Sequence, residues 1–221
     1  MRFEVVTFDC YGTLVDWDAG IRAAFLAAAA QDGVSLDASS VIGAYSRIEP
    51  EIEAEPYRPY REVLSETARR VAGELGWNLS PGREAFLAES VPSWPVFPDT
   101  NEALLRLSVA GCRLGILSNV DDDLLAATCR HFGVPFDFVI TAQQVRAYKP
   151  AHAHFQAARQ RLGEAAWLHA AQSFFHDVVP AVELGIPVAW INRKREKAMA
   201  GDAAPTVELE DLERLPSWVE K

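Results

Sequence analysis

The chain has 221 residues and a formal charge of −10. That length suits one α/β unit carrying a modest insertion. The acidic balance argues against nucleic-acid and anionic-membrane partners and requires any anionic ligand to be met by local cations. No secretory leader is visible and no apolar run is long enough to span a bilayer. Three cysteines, Cys10, Cys112 and Cys129, lack metal-type spacing, and the odd count fits a reducing cytoplasm.

The apolar, β-branched run at 3–8 (FEVVTF) reads as a buried parallel strand that delivers Asp9 at its carboxyl end, with Gly12 allowing a sharp turn just after. Helical patterns follow at 20–31, 38–52, 57–73 and 81–91, punctuated by Gly33, Pro56, Gly76 and Pro81. Strand and helix then alternate: helix 100–110, strand 113–118, helix 122–132, strand 138–141, helix 152–162, strand 167–171 and strand 187–192. An edge strand at 206–209 and a short helix complete the chain. This order predicts an α/β fold, a doubly wound Rossmann-like parallel sheet with an inserted helical cap domain. Residues 1–14 and 96–221 would form the α/β core and 15–95 the cap.

Four polar groups fall at or after strand ends: Asp9 to Thr13, Ser118-Asn119, Lys149-Pro150 and His176-Asp177. In an open α/β sheet these ends converge on one crevice, where ligands bind. An aspartate at a strand tip is placed for nucleophilic attack on carbon or phosphorus, although it can equally cap a turn. A lysine beside it would keep the carboxylate ionised. Asn119, before Asp121 to Asp123, could cap a helix, and His176 could be a half-buried packing histidine.

These motifs, in this order and on these elements, resemble the haloacid dehalogenase superfamily of hydrolases over essentially the whole chain. The ending PVAWINR, at 187–193, looks like that of the type II L-2-haloacid dehalogenase branch. Phosphatases of the superfamily carry a second aspartate two residues after the nucleophile, which supports magnesium. Here that position is Tyr11, so the resemblance points to displacement at carbon with no metal or other cofactor. It implies an SN2-type attack by Asp9 on a small 2-substituted carboxylic acid, with loss of halide and an aspartyl-ester intermediate. Thr13, Lys149 and Asp177 would serve the reaction, while Tyr11, Ser118, Asn119 and Ser173 would contact substrate. In this branch a cap arginine faces the leaving halide; Arg47 matches best, with Arg58 and Arg61 as alternatives. Trp17, Tyr45 and Trp94 would wall the pocket.

The segment Gln172 to Ala181 departs from the dehalogenase pattern. It looks more like a sister group that includes an azetidine-2-carboxylate hydrolase, in which His176 could protonate an amine leaving group. The competing readings are a magnesium-dependent phosphatase and a non-catalytic protein that binds a partner through its cap. A homodimer is an expectation from the resemblance.

Overall fold

A computed structural model describes residues 3–198 and 203–220. Its six strands form one parallel sheet in the order β3-β2-β1-β4-β5-β6. The first, β1 (Val5–Phe8), is buried along its length and lies between β2 (Arg113–Ser118) and β4 (Trp167–Ala171). From β2 the chain moves outward to β3 (Phe138–Thr141), and from β4 to β5 (Val188–Ile191) and the edge strand β6 (Val207–Leu209). The strand order therefore reverses at β1, which puts Asp9 at the switch point where α/β sheets open a crevice.

Between β1 and β2 the chain builds a helical insertion from α1 (Trp17–Gln31), α2 (Ala38–Glu53), α3 (Tyr60–Glu74) and the short α4 (Phe86–Ser90). Asp16 and Asp37 cap α1 and α2 by accepting from Ala19 N and Ser40 N, satisfying N–H groups that the helices leave open. The predicted helix at 81–91 is broken into α4 flanked by 3-10 turns, consistent with Gly82 in the left-handed region and Pro92 at the far end. The helix expected from residue 57 begins at Tyr60, after Pro59. Its first N–H groups are served from the sheet side: the Asp121 carboxylate accepts from Tyr60 N at 3.0 Å and Arg61 N at 2.9 Å. An anion at a helix N-terminus is stabilising, and this one ties the insertion to the end of β2. Gly20 of α1 is equally specific, because a Cβ there would lie 2.2 Å from the Trp94 ring.

The sheet half continues with α5 (Thr100–Val109), α6 (Asp122–Thr128), α7 (Ala142–Val145), α8 (Ala153–Leu162), α9 (Val179–Glu183) and α10 (Leu215–Val219). The helix α7 and a one-turn π-helix at Phe174–Val178 were not expected from the sequence. The π turn is capped by Ser173, whose hydroxyl accepts from His176 N at 3.1 Å, and it carries Asp177 into the crevice.

Candidate active site

Everything at the site is organised around a buried lysine. The ammonium of Lys149 donates to Asp9 Oδ1 at 2.8 Å, to Asp177 Oδ1 at 2.7 Å and to the Leu117 carbonyl at 2.9 Å. Lys149 is 2% exposed and Asp177 1%. Burial disfavours a charged lysine, yet the two carboxylates reverse that and raise its pKa above the ordinary lysine value. Asp177 is desolvated too, but Lys149 and His169 hold its carboxyl well below the usual range. Asp9 stands differently: burial pushes its carboxyl up, against the pull of Lys149, and the nearby Asp177 charge adds to the rise. The second Asp9 oxygen accepts from the Thr13 hydroxyl at 2.8 Å, and Thr13 in turn accepts from Gln172 N. Both carboxylate oxygens are thus oriented before any ligand arrives, which suits a nucleophile.

Behind Asp177 runs a buried chain that sequence reading missed. Trp167 Nε1 donates to the Thr7 hydroxyl at 2.7 Å. That hydroxyl lies 2.9 Å from His169 Nδ1, and His169 Nε2 lies 3.0 Å from Asp177 Oδ1. Since the carboxylate accepts, Nε2 carries the hydrogen that joins His169 to Asp177. The polar residues Thr7 and His169, paired in register across β1 and β4, were the available signal.

Asp9 opens into a cavity of about 460 Å³, within the range of small-molecule sites. Tyr11, Ser118, Asn119, Ser173 and His176 line it, as do Trp17, Tyr45 and Trp94. The Tyr11 hydroxyl is turned to Thr128 at 2.9 Å, so this residue presents its ring. The Ser118 hydroxyl is buried without a hydrogen-bond partner, as is Asp177 Oδ2. Asn119 is not a helix cap: its amide accepts from Lys149 N at 2.7 Å and donates to Lys149 O at 3.0 Å and Glu53 Oε2 at 3.3 Å. His176 hydrogen-bonds Ser173 through Nδ1, and burial lowers its pKa.

Arg47 requires a correction. It sits on the outer face of α2, exposed and paired with Glu74, and does not line the cavity. Neither alternative replaces it, since Arg58 pairs with Glu55 and Arg61 with Asp123. The face of α2 that does reach the cavity carries Tyr45, Glu49 and Glu53, three positions at helical i, i+4 spacing. Glu49 accepts from the Tyr60 hydroxyl at 2.9 Å, and Tyr60 lies 3.2 Å from the Tyr45 hydroxyl. Burial pushes Glu49 up to about 7 and raises Glu53 well above the usual carboxylate range, with the Glu49 charge adding to the latter.

A carboxyl raised on folding contributes most below its unfolded pKa and progressively loses that contribution as pH rises through its folded value. For Glu49 this window runs from 4.5 to about 7. Glu49→Gln, which retains the Tyr60 contact, is expected to match the parent near pH 4.5 and to be the more stable protein at pH 8, by roughly 3 kcal/mol. Denaturant unfolding at the two pH values measures this, and equal differences at both would count against it.

A magnesium ion, as the phosphatase reading requires, needs several oxygen ligands. Lys149 and Thr13 already engage both Asp9 oxygens, Lys149 and His169 share Asp177 Oδ1, and Tyr11 brings no carboxylate. Among the described residues no cluster of His, Cys, Asp or Glu could hold a metal. These residues do not fit the ion.

The chain is 26% identical to (S)-2-haloacid dehalogenase H-109 of Pseudomonas putida, an alignment covering 98% of this chain and 97% of that protein. It is 27% identical to haloacetate dehalogenase H-2 of a Moraxella species, with 87% of each chain covered. Its fold is that of the L-2-haloacid dehalogenase from Xanthobacter autotrophicus, solved with chloropropionic acid covalently bound; the TM-score is 0.84 at 23% identity, with 98% of each chain covered. The sequence model of the haloacid dehalogenase-like hydrolase family matches residues 3–174, well over half of the chain. A parallel sheet reversing at the strand that carries Asp9, a helical insertion over that carboxylate and this match lead to one assignment: the chain belongs to the haloacid dehalogenase-like hydrolases.

Proposed function

We propose that this hydrolase displaces a leaving group from the α-carbon of a small carboxylic acid without a metal, as in the halide displacement for which its (S)-2-haloacid dehalogenase relatives are named. The observation that carries this reading is the Asp9–Lys149–Asp177 triad, with Tyr11 at the position where a phosphatase needs its second acid.

An Asp9 oxygen attacks C2 as the carbon–halogen bond breaks and the halide leaves with the bonding pair. The resulting ester joins C2 to the Asp9 carboxyl. Water then adds at the Asp9 Cγ and expels the 2-hydroxy acid, restoring the carboxylate and releasing one proton overall. Splitting the reaction this way replaces one difficult hydrolysis with two easier steps. Lys149 and Thr13 orient the nucleophile. Asp177 Oδ2, buried and unpartnered on the cavity wall, is suited to hold the incoming water. The Ser118 hydroxyl and the Asn119 segment receive the substrate carboxylate. Cytoplasmic residence belongs to the same reading and rests on the odd cysteine count.

Halide release from L-2-chloropropionate is expected to be the same within about twofold in EDTA and in added magnesium, because no step uses a Lewis acid. An ion-selective electrode reads it, with p-nitrophenyl phosphate as the parallel substrate. Magnesium-dependent phosphate release without halide release would replace this reading with the phosphatase one.

A further inference from the structure

The charge of the cavity's upper wall does not match a halide. Where the resemblance leads one to expect an arginine, α2 supplies Glu49 and Glu53. The Glu53 side chain is only 7% exposed, and its nearest ionic neighbour is His176 Nε2 at 4.0 Å. Among the described residues no lysine or arginine forms an ion pair with Glu49. The two cavity lysines have other duties: Lys149 is shared by Asp9 and Asp177, and Lys194 stands at the edge over the Trp17 ring, beside Asp18. Buried carboxylates are ordinarily paired or neutralised; among the described residues no lysine or arginine makes an ion pair with these two, and Glu53 has only His176 and the charge of Lys149, which Asp9 and Asp177 already share.

A second observation points to a ligand spanning the same cavity. The Ser118 side chain is 99% buried by its surroundings, being 1% exposed, and its hydroxyl finds no protein partner although it lines the space beside Asp9. A buried hydroxyl is normally hydrogen-bonded, and this one together with the Asn119 segment suits a carboxylate. The cavity thus has a hydrogen-bonding floor that accepts an anion and a wall of carboxylates that accepts a cation. The aromatic rings of Tyr45, Tyr60 and Trp17 around that wall suit the same cation through their negative faces.

We propose that Glu49 and Glu53 form an ammonium subsite, and that the substrate is a small carboxylic acid that also bears a protonated amine. Its carboxylate lies at Ser118 and Asn119, its reacting carbon over Asp9 and its ammonium against α2. Binding lets both glutamates ionise against the ammonium, which offsets the desolvation that opposes their charge in the free protein. The Asn119 amide, bonded to both Glu53 and the Lys149 backbone, sets the subsite's position relative to the nucleophile. This assignment of substrate class rests on the displacement chemistry proposed above.

Two pairs of probes that differ by an amine test it. By calorimetry, 4-aminobutyrate is expected to bind at least ten-fold more tightly than butyrate to the native protein, and Glu49→Gln/Glu53→Gln to abolish that preference. In turnover, kcat/KM for 4-amino-2-chlorobutyrate is expected to exceed that for 2-chlorobutyrate by at least ten-fold. Equal or tighter butyrate binding overturns the subsite, whatever the state of the double variant. A binding preference that survives the double substitution in a folded protein also overturns it. Equal turnover of the two chloro acids overturns the subsite while leaving displacement at carbon intact. Turnover of neither acid, with the ammonium preference in binding retained, overturns the displacement reading and leaves the subsite standing.

Discussion

Asp9→Asn is expected to abolish turnover, by about 10⁴-fold or more in kcat, while the protein remains folded. Removing a nucleophile that forms the covalent intermediate costs this order of magnitude because the amide cannot form the ester. The amide is nearly isosteric with the carboxylate. Its oxygen can still accept from Lys149, and its nitrogen can face the Thr13 hydroxyl oxygen, which already receives Gln172 N. The fold therefore loses about a hydrogen bond's worth of stability, roughly 1–2 kcal/mol. Circular dichroism and a halide assay on the same preparation measure both effects. Residual turnover within tenfold of the parent would mean that another group attacks.

Lys149→Met is expected to damage stability as well as rate. The substitution keeps the volume of the side chain but removes the charge shared by two buried carboxylates and leaves the Leu117 carbonyl without its donor. Breaking a buried ion pair by deleting one partner costs about 3–5 kcal/mol, so a melting temperature lower by on the order of 10 °C follows for a chain of this size. The sign of the pH dependence identifies the cause. Without the lysine, both carboxyls rise in the folded state, so the variant's lost stability returns as they are protonated. The gap between parent and variant is then wide at pH 8 and narrow at pH 5. Thermal melts at those two values decide it; a gap that does not change with pH would show that the loss is one of packing. Combining the variant with Asp177→Asn is expected to cost less than the sum of the two single changes, because they share one interaction.

Much of this site could be read from residue order. Strand-end positions gave the crevice because a parallel sheet presents its ligands at those ends, and Asp9, Ser118, Lys149 and Asp177 do meet there. Thr13 was named for the reaction through the resemblance, and its bond to Asp9 is what the turn between them allows. What escaped depended on rotation about a helix or on pairing across the sheet. In α2 the arginine drew attention for its charge, yet Arg47 lies about 200° around the helix from Tyr45 at 100° per residue. Taking Tyr45 as a pocket wall should have put Glu49 and Glu53 beside it. The chain from Trp167 through Thr7 and His169 to Asp177 needed the register of β1 against β4, which no local pattern supplies. Likewise, the turn at Phe174–Val178 depends on Ser173 as its cap, and its wider π spacing has no simple sequence period.

The central claim is that the Asp9 carboxylate becomes an ester to the substrate carbon. The direct measurement is a single turnover of L-2-chloropropionate in ¹⁸O-water, with enzyme in excess, followed by peptide mass spectrometry. Hydrolysis at Cγ of an Asp9 ester places ¹⁸O in the peptide containing Asp9, and the lactate carries oxygen from the enzyme. Label found in the lactate with none in Asp9 would mean that water attacks the substrate carbon directly, and would contradict the account.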